Sequence, residues 1–130
     1  MILGIGIDAI EIARFKKWYA YTPQKLGRIF SSEEINYCLA EPAKSAERFA
    51  VRFAAKEAAF KALSSAYPHI KLNFISIAPF CEIGKINNVP IITITLPISE
   101  LRQTHVLVSL THTKNIACAI VIFQKNILKR

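Results

Sequence analysis

The stretch Arg52-Phe-Ala-Ala-Lys-Glu-Ala-Ala-Phe-Lys61 constrains this chain more than any other. Alanine, lysine and glutamate are strong helix formers, so the stretch reads as part of a helix. At 3.6 residues per turn, Phe53, Glu57 and Lys61 stack on successive turns, each offset by about 40°. Phe60, Ala54 and Ala50 fall within about 60° of Glu57. The apolar face of the helix is thus expected to carry a carboxylate and an ammonium in its middle, with Arg52 and Lys56 on its flank and Arg48 on the far side. Taking a charge out of water is costly unless it is paired or holds an ion. A Glu57–Lys61 pair closing on itself, worth ~0.2–0.5 kcal/mol, is one answer. A second acidic group brought from elsewhere is another.

The start of the chain offers that group. Met1 to Ile12 is an apolar run with strand character, interrupted by Asp8, the only aspartate in the sequence. Gly4 and Gly6 precede it, as at a bulge or a close backbone approach. A strand-end aspartate can also cap the next helix, so Asp8 has an ordinary alternative role. This N-terminal run lacks a basic segment and meets acids at once, so it is not expected to be a signal peptide.

Ala13 to Arg28 is helical and basic in pattern, with Arg14, Lys16, Lys17, Lys25 and Arg28 among Phe15, Trp18, Tyr19 and Tyr21; Pro23 divides it. Such a stretch is either a solvated face with aromatic anchors or a docking surface for an acidic partner. Ser31 and Glu34 have capping-box spacing, opening a helix through Ile35 and Leu39 that stops before Pro42. The main helix is expected from Lys44 or Ser45 to about Leu63, ended by Ser64-Ser65-Ala66 and Pro68. Beyond it the signal is β: a strand over Leu72 to Ala78, a turn-rich link over Phe80 to Asn88, and a strand over Ile91 to Leu96. A short helix follows at Pro97 to Gln103, with Ser99 as cap. Strands at Val106 to Thr111 and Ile116 to Phe123 are joined by a hairpin at His112, and the basic tail from Gln124 to Arg130 frays. The order predicts one α+β domain over residues 1–130, a mostly antiparallel sheet packed on one long helix plus shorter helices.

Composition narrows the partners. The 130 residues carry 17 Lys and Arg against 9 acids, a net charge of +8. Such a field attracts a polyanion, a phosphorylated small molecule or an acidic protein. Cys38, Cys81 and Cys118 lack C-x-x-C spacing and read as buried free thiols in a reducing cytoplasm. No uncharged apolar stretch reaches membrane-span length. His69, His105 and His112 lack zinc-type spacing. No Gly-rich phosphate loop occurs.

If the main helix packs on the first strand, Asp8 and Glu57 converge. Two carboxylates together call for a proton or a cation. Two protein oxygens, with the rest from water and substrate phosphates, is the pattern Mg²⁺ favours. Lys61 would then reach a phosphate oxygen, and Arg52 and Lys56 would add charge at a second phosphate.

Gly4-Ile-Gly-Ile-Asp8-Ala-Ile-Glu-Ile-Ala-Arg14 resembles the G-[TIV]-D-[IL]-V-E-I-x-R signature of holo-[acyl-carrier-protein] synthases. Phe53-Ala-Ala-Lys-Glu-Ala-Ala-Phe-Lys61-Ala is similar to their F-x-x-K-E-A-x-x-K-A motif. Val108-Ser-Leu-Thr-His112 with Ala117-Cys-Ala-Ile-Val121 resembles their C-terminal hairpin, and order and spacing agree along nearly the whole chain. The resemblance implies a 4′-phosphopantetheinyl transferase fold. It implies transfer of the 4′-phosphopantetheine arm of coenzyme A to a serine of acyl carrier protein, in support of fatty acid biosynthesis in the cytoplasm. It also implies that Asp8 and Glu57 hold Mg²⁺, that Lys61 approaches the diphosphate, and that His112 helps hold the nucleotide's phosphate. Arg14 would meet the acidic carrier protein, and the chain would form trimers with active sites at subunit interfaces. Either Glu57 or a water on the ion would take the serine proton; sequence leaves both open. Two departures stand out: the family's Gly-Thr-Gly turn is Ser64-Ser65-Ala66 here, and its Gly-Lys-Pro turn is loosened to Gly84-Lys85 with Pro90 further on. A carrier-protein binder without activity and a basic nucleic-acid-binding module are the competing readings. The second lacks aromatics interleaved with a basic strand surface.

Overall fold

The computed structural model describes residues 1–126. Strand β1 (Ile2–Glu11) leads through two short 3₁₀ turns and the single turn α1 (Pro23–Leu26) into α2 (Ser32–Leu39) and the long α3 (Ser45–Ala66). A one-turn helix α4 (Phe74–Ile77) precedes the hairpin β2 (Cys81–Ile86) and β3 (Val89–Ile94). A 3₁₀ turn then leads into β4 (Thr104–His112) and β5 (Ile116–Lys125). β1, β5 and β4 form one antiparallel sheet in that order, and β2 and β3 form a second sheet of their own. Among the described residues no helix is long and apolar enough to cross a membrane.

Helix α3 is the axis of the molecule. Every residue from Phe49 to Ala59 except Glu57 is buried. The sheet covers one side. Phe15, Trp18 and Phe30 pack on Phe49 and Phe53 on another, with ring centroids 5.1–6.2 Å apart between neighbours such as Phe30–Phe49 and Trp18–Phe49. The hairpin covers a third. Helix α2 begins as its sequence predicts: the Ser31 hydroxyl accepts from the Glu34 amide and the Glu34 carboxylate accepts from the Ser31 amide.

Several segments differ from expectation. Residues 13–28 form 3₁₀ and α turns rather than a helix, because apolar side chains at Ile12, Phe15 and Leu26 hold them flat on the core. Residues 72–78 are not a strand. Asn73 and Ser76 exchange capping hydrogen bonds, and that local option closes a helical turn. Residues 81–86 are a strand rather than a link, with the tight turn confined to Asn87 and Asn88, both at positive φ. Helix α3 runs on through Ser64-Ser65-Ala66. Ser99 is the first residue of its turn and Ile98 the cap. Gln124 and Lys125 belong to β5 and the Asn126 amide donates to the Gln103 carbonyl at 2.8 Å, so this part of the predicted frayed tail is held; residues 127–130 lie outside the described residues.

Cross-strand register gives the outer face of the larger sheet an apolar surface. Ile5 pairs with Ile122, which pairs with Leu107; Ile7 pairs with Ile120, which pairs with Ser109. Ile5, Ile7 and Leu107 are all exposed. Contiguous exposed apolar surface of this kind is a mark of an interaction site.

Candidate active site

The even residues of β1, Gly4, Gly6, Asp8 and Ile10, face α3. A Cβ built on Gly4 would lie 2.7 Å from the Ala66 amide nitrogen, and one on Gly6 would lie 2.7 Å from that of Ala62. Both clash with backbone, which cannot swing away, so glycine is required by the approach of helix to strand. Two strand residues advance about 6.6 Å and one helical turn about 5.4 Å. Passing from Gly4 to Gly6 therefore moves the contact back one turn, from Ala62 and Ala66 to Ala58 and Ala62. Continued to Asp8, the same march brings its carboxylate to the turn that carries Glu57.

Glu57 is the one residue of the central helix that reaches the surface there. Its carboxyl is raised from its ordinary value by burial first and then by the negative charge of Asp8; Lys61 and Arg14 pull it back. Four charged groups thus share one locus. Side chains on a helix lean toward its N-terminus, and Lys61 does so. Its ammonium donates to Asp8 Oδ1 at 3.2 Å and to the Ile7 carbonyl at 3.0 Å. The lysine closes on Asp8, so the pairing of Glu57 with Lys61 expected as the ordinary alternative is not the one formed. The Lys61 side chain is 51% exposed and free to turn toward an incoming anion. Among the described residues no three His, Cys, Asp or Glu side chains gather as metal ligands; Asp8 and Glu57 are two carboxylates near enough for the charge of one to raise the pKa of the other.

The structure corrects the assignment of Lys56. It is wholly buried rather than on a flank, and its ammonium is spent inside the protein, on Glu34 at 2.8 Å and on the carbonyls of Ala78 and Cys81 at 2.7 and 2.6 Å. It presents nothing to a phosphate. The wheel failed here because it cannot see that α2 and the hairpin cover this side of α3.

Arg52 and His112 lie away from the carboxylates, in a groove of about 260 Å³ that Arg48, Lys85, Glu47 and Tyr37 also line. The guanidiniums of Arg48 and Arg52 stand 4.0 and 4.2 Å from the centroid of the Tyr37 ring. Arg48, expected on the far solvated side, is instead largely covered, donating to the Tyr37 carbonyl at 2.8 Å and to Glu41 Oε1 at 2.9 Å. Arg52 is buried and its Nε has no hydrogen-bond partner among the described residues. A cationic group left with a free donor beside a groove suits an anion. His112 Nε2 lies 3.2 Å from Glu47 Oε1. Sequence reasoning missed Tyr37 and Arg48, whose stacking depends on how α2 crosses α3.

Arg14 is exposed beside Glu57, its guanidinium 5.2 Å from the Phe53 ring centroid. It lines a further groove of about 320 Å³ with Trp18, Tyr21, Lys25, Phe74 and Ile75. The aromatic and basic residues of 14–25 therefore meet α4 at this groove, which the predicted strand at 72–78 would not have suggested.

A model of the 4′-phosphopantetheinyl transferase superfamily, ACPS, matches residues 4–121. The chain belongs to this superfamily. It is 38% identical over 130 residues to the holo-[acyl-carrier-protein] synthase of Treponema denticola, with 95% of this chain and 99% of that relative covered. Among solved structures it is similar to the holo-(acyl-carrier-protein) synthase of Bacillus anthracis in complex with CoA (3′,5′-ADP), with TM-score 0.73 and 28% identity over 97% of this chain and 99% of that one. It is likewise similar to the Helicobacter pylori synthase in complex with coenzyme A, with TM-score 0.70 and 30% identity over 92% and 99% of the two chains. The α+β arrangement of antiparallel strands on one long helix is thus the phosphopantetheinyl transferase fold, and the chain is an enzyme of the holo-[acyl-carrier-protein] synthase kind.

Proposed function

We propose that this phosphopantetheinyl transferase moves the 4′-phosphopantetheine group of coenzyme A to a serine hydroxyl of an acidic acyl carrier protein, with Mg²⁺, in support of fatty acid biosynthesis in the cytoplasm. The observation that carries the reading is the meeting of Asp8 and Glu57, drawn from opposite ends of the first half of the chain, beside Lys61 and Arg14.

The serine oxygen attacks the phosphorus that bears pantetheine. A new P–O bond forms, the bond to the nucleotide's phosphate breaks, and adenosine 3′,5′-bisphosphate leaves while the serine loses its proton. Negative charge builds on the bridging oxygen, and Lys61 can turn from Asp8 to meet it. Glu57, whose carboxyl burial and the charge of Asp8 make more basic than a free one, would accept the serine proton directly or through a water. Glu57, raised by burial first and by the charge of Asp8 second, would gain from a small divalent ion shared with Asp8, and two protein oxygens fit the way Mg²⁺ is held. Such an ion supplies Lewis-acid stabilisation of phosphate charge when bound. Arg52 and His112 would hold the phosphate of the nucleotide end. Arg14 and the aromatic groove beside it would receive the carrier protein.

Two features support assembly into trimers with shared sites. The outer face of the sheet exposes Ile5, Ile7 and Leu107. The Arg52–His112 groove lacks Asp8, Glu57 and Lys61, so a nucleotide seated in one chain's groove would place its diphosphate at a neighbour's carboxylates.

The test is to incubate the protein with coenzyme A, Mg²⁺ and apo-acyl carrier protein and weigh the carrier. A mass gain equal to one phosphopantetheine arm is expected. An unchanged carrier that nonetheless co-elutes with the protein would replace the transferase reading with that of a carrier binder.

A further inference from the structure

The buried pair of Glu34 and Lys56 has no part in the chemistry above, yet it is fully withdrawn from water, with side-chain exposures of 1% and 0%. Breaking such a pair is costly, while replacing both partners with apolar groups is often neutral, so stability alone does not account for it. Its partners show what it joins. The three Lys56 donors go to Glu34 on α2 and to the carbonyls of Ala78 and Cys81 at the entry of β2. Glu34 Oε1 also accepts from the Ser31 amide at 2.9 Å, and Oε2 accepts from the Ile83 amide at 3.1 Å.

The β2–β3 hairpin shares no ladder with the larger sheet. Cys81 and Ile83, alternate residues of β2, are the two that the pair grips, and both side chains are buried. The next two residues, Gly84 and Lys85, form a wall of the groove that Arg52 and His112 line. Lys56 also directly precedes Glu57 and follows Arg52 by one helical turn. One ammonium thus fixes the hairpin to the helix that carries both candidate subsites.

We propose that Glu34 and Lys56 are positioning residues for coenzyme A: without touching it, they set where the Gly84–Lys85 wall stands against Arg52 and His112. This rests on the reading of that groove as the nucleotide's seat. An amide grip at Ile83 and a carbonyl grip at Cys81 fix the strand in both directions of hydrogen bonding, which apolar packing cannot do.

The test compares wild type with Lys56→Met, Glu34→Gln and the double variant, measuring melting temperature, affinity for adenosine 3′,5′-bisphosphate, and the split of KM for coenzyme A from kcat. The single variants should melt lower, and the double variant should recover much of that loss. Its dissociation constant and KM should nevertheless stay raised about tenfold or more, the size seen when supporting groups are lost, with kcat little changed. A double variant that melts like wild type and binds the bisphosphate equally well overturns the proposal. Should Lys56→Met fail to fold, hydrogen exchange in Glu34→Gln decides: faster exchange confined to residues 81–86 supports the tether, and uniform loosening refutes it. Wild-type protein that does not bind the bisphosphate removes the underlying reading of the groove, a result distinct from either.

Discussion

The two sides of α3 hold their neighbours by opposite means. Toward β1 the contact is dry and made of the smallest residues, Gly4 and Gly6 against Ala58, Ala62 and Ala66. Toward the hairpin it is made of charge, Lys56 and Glu34 gripping backbone amides and carbonyls. The first fixes distance by excluded volume: nothing larger than hydrogen fits, so the Asp8-to-Glu57 separation follows from backbone contact. The second fixes a hairpin that shares no ladder with the larger sheet. The candidate carboxylate site and the wall of the candidate binding groove thus depend on one helix through two different forces.

The comparison can be broken most severely at the reacting centre. Glu57→Gln and Asp8→Asn should each lower kcat/KM by ~10²–10⁴, as loss of a charge-stabilising group does, with melting temperature nearly kept. Turnover near the wild-type value across a Mg²⁺ titration would remove either residue from the metal site. On the charged side, Lys56→Met leaves Glu34 buried without its counter-ion and should cost about 3–5 kcal/mol of stability by urea unfolding. On the dry side, Gly6→Ala forces a methyl against the Ala58 and Ala62 backbone and should cost about 1–3 kcal/mol. Its activity should fall further than its stability, because the carboxylates are spread apart. An unaltered unfolding midpoint would show that the helix can retreat.

The smallest effect concerns protons. Glu57 titrates above its ordinary value of 4.5, through burial and then through Asp8, against Lys61 and Arg14. A carboxyl raised in the folded state keeps its proton after the unfolded chain has lost it. Between those two pKa values the folded chain binds more protons, so this group's contribution to stability falls as pH rises through the window. Asp8→Asn removes the repulsion and frees Lys61, and both changes lower the Glu57 pKa. Carbon-detected titration of the metal-free protein should show that downward shift as a partial one, since burial remains. An unmoved Glu57 would mean that Asp8 is electrostatically remote.

What the sequence revealed follows the same division. The two out-of-place carboxylates, Asp8 in an apolar strand and Glu57 on an apolar helix face, were legible from local pattern, but that they come near one another depended on the helix packing on the strand, which the pattern only suggested. The capping box at Ser31 and Glu34 was legible for the same reason. Lys56 was misplaced because a helical wheel reports phase but not how many neighbours cover the helix, and this helix is covered on nearly every side. The 72–78 segment reads as a strand by hydropathy, yet Asn73 and Ser76 had the spacing of a reciprocal cap and carried the missed signal. Gly84 and the Asn87–Asn88 pair disguised β2 as a link, although the two asparagines are the turn between two paired strands.

The glycine–alanine seam also limits how the chain can change over time. At a large-against-small contact, growth on one side can be offset by shrinkage on the other. Here an added methyl would meet the backbone of the helix, which no side-chain replacement removes, so an enlargement has no second-site compensation. Sequence drift in the first strand is therefore channelled to its odd positions, on the opposite surface of the sheet, where the helix places no limit on side-chain volume.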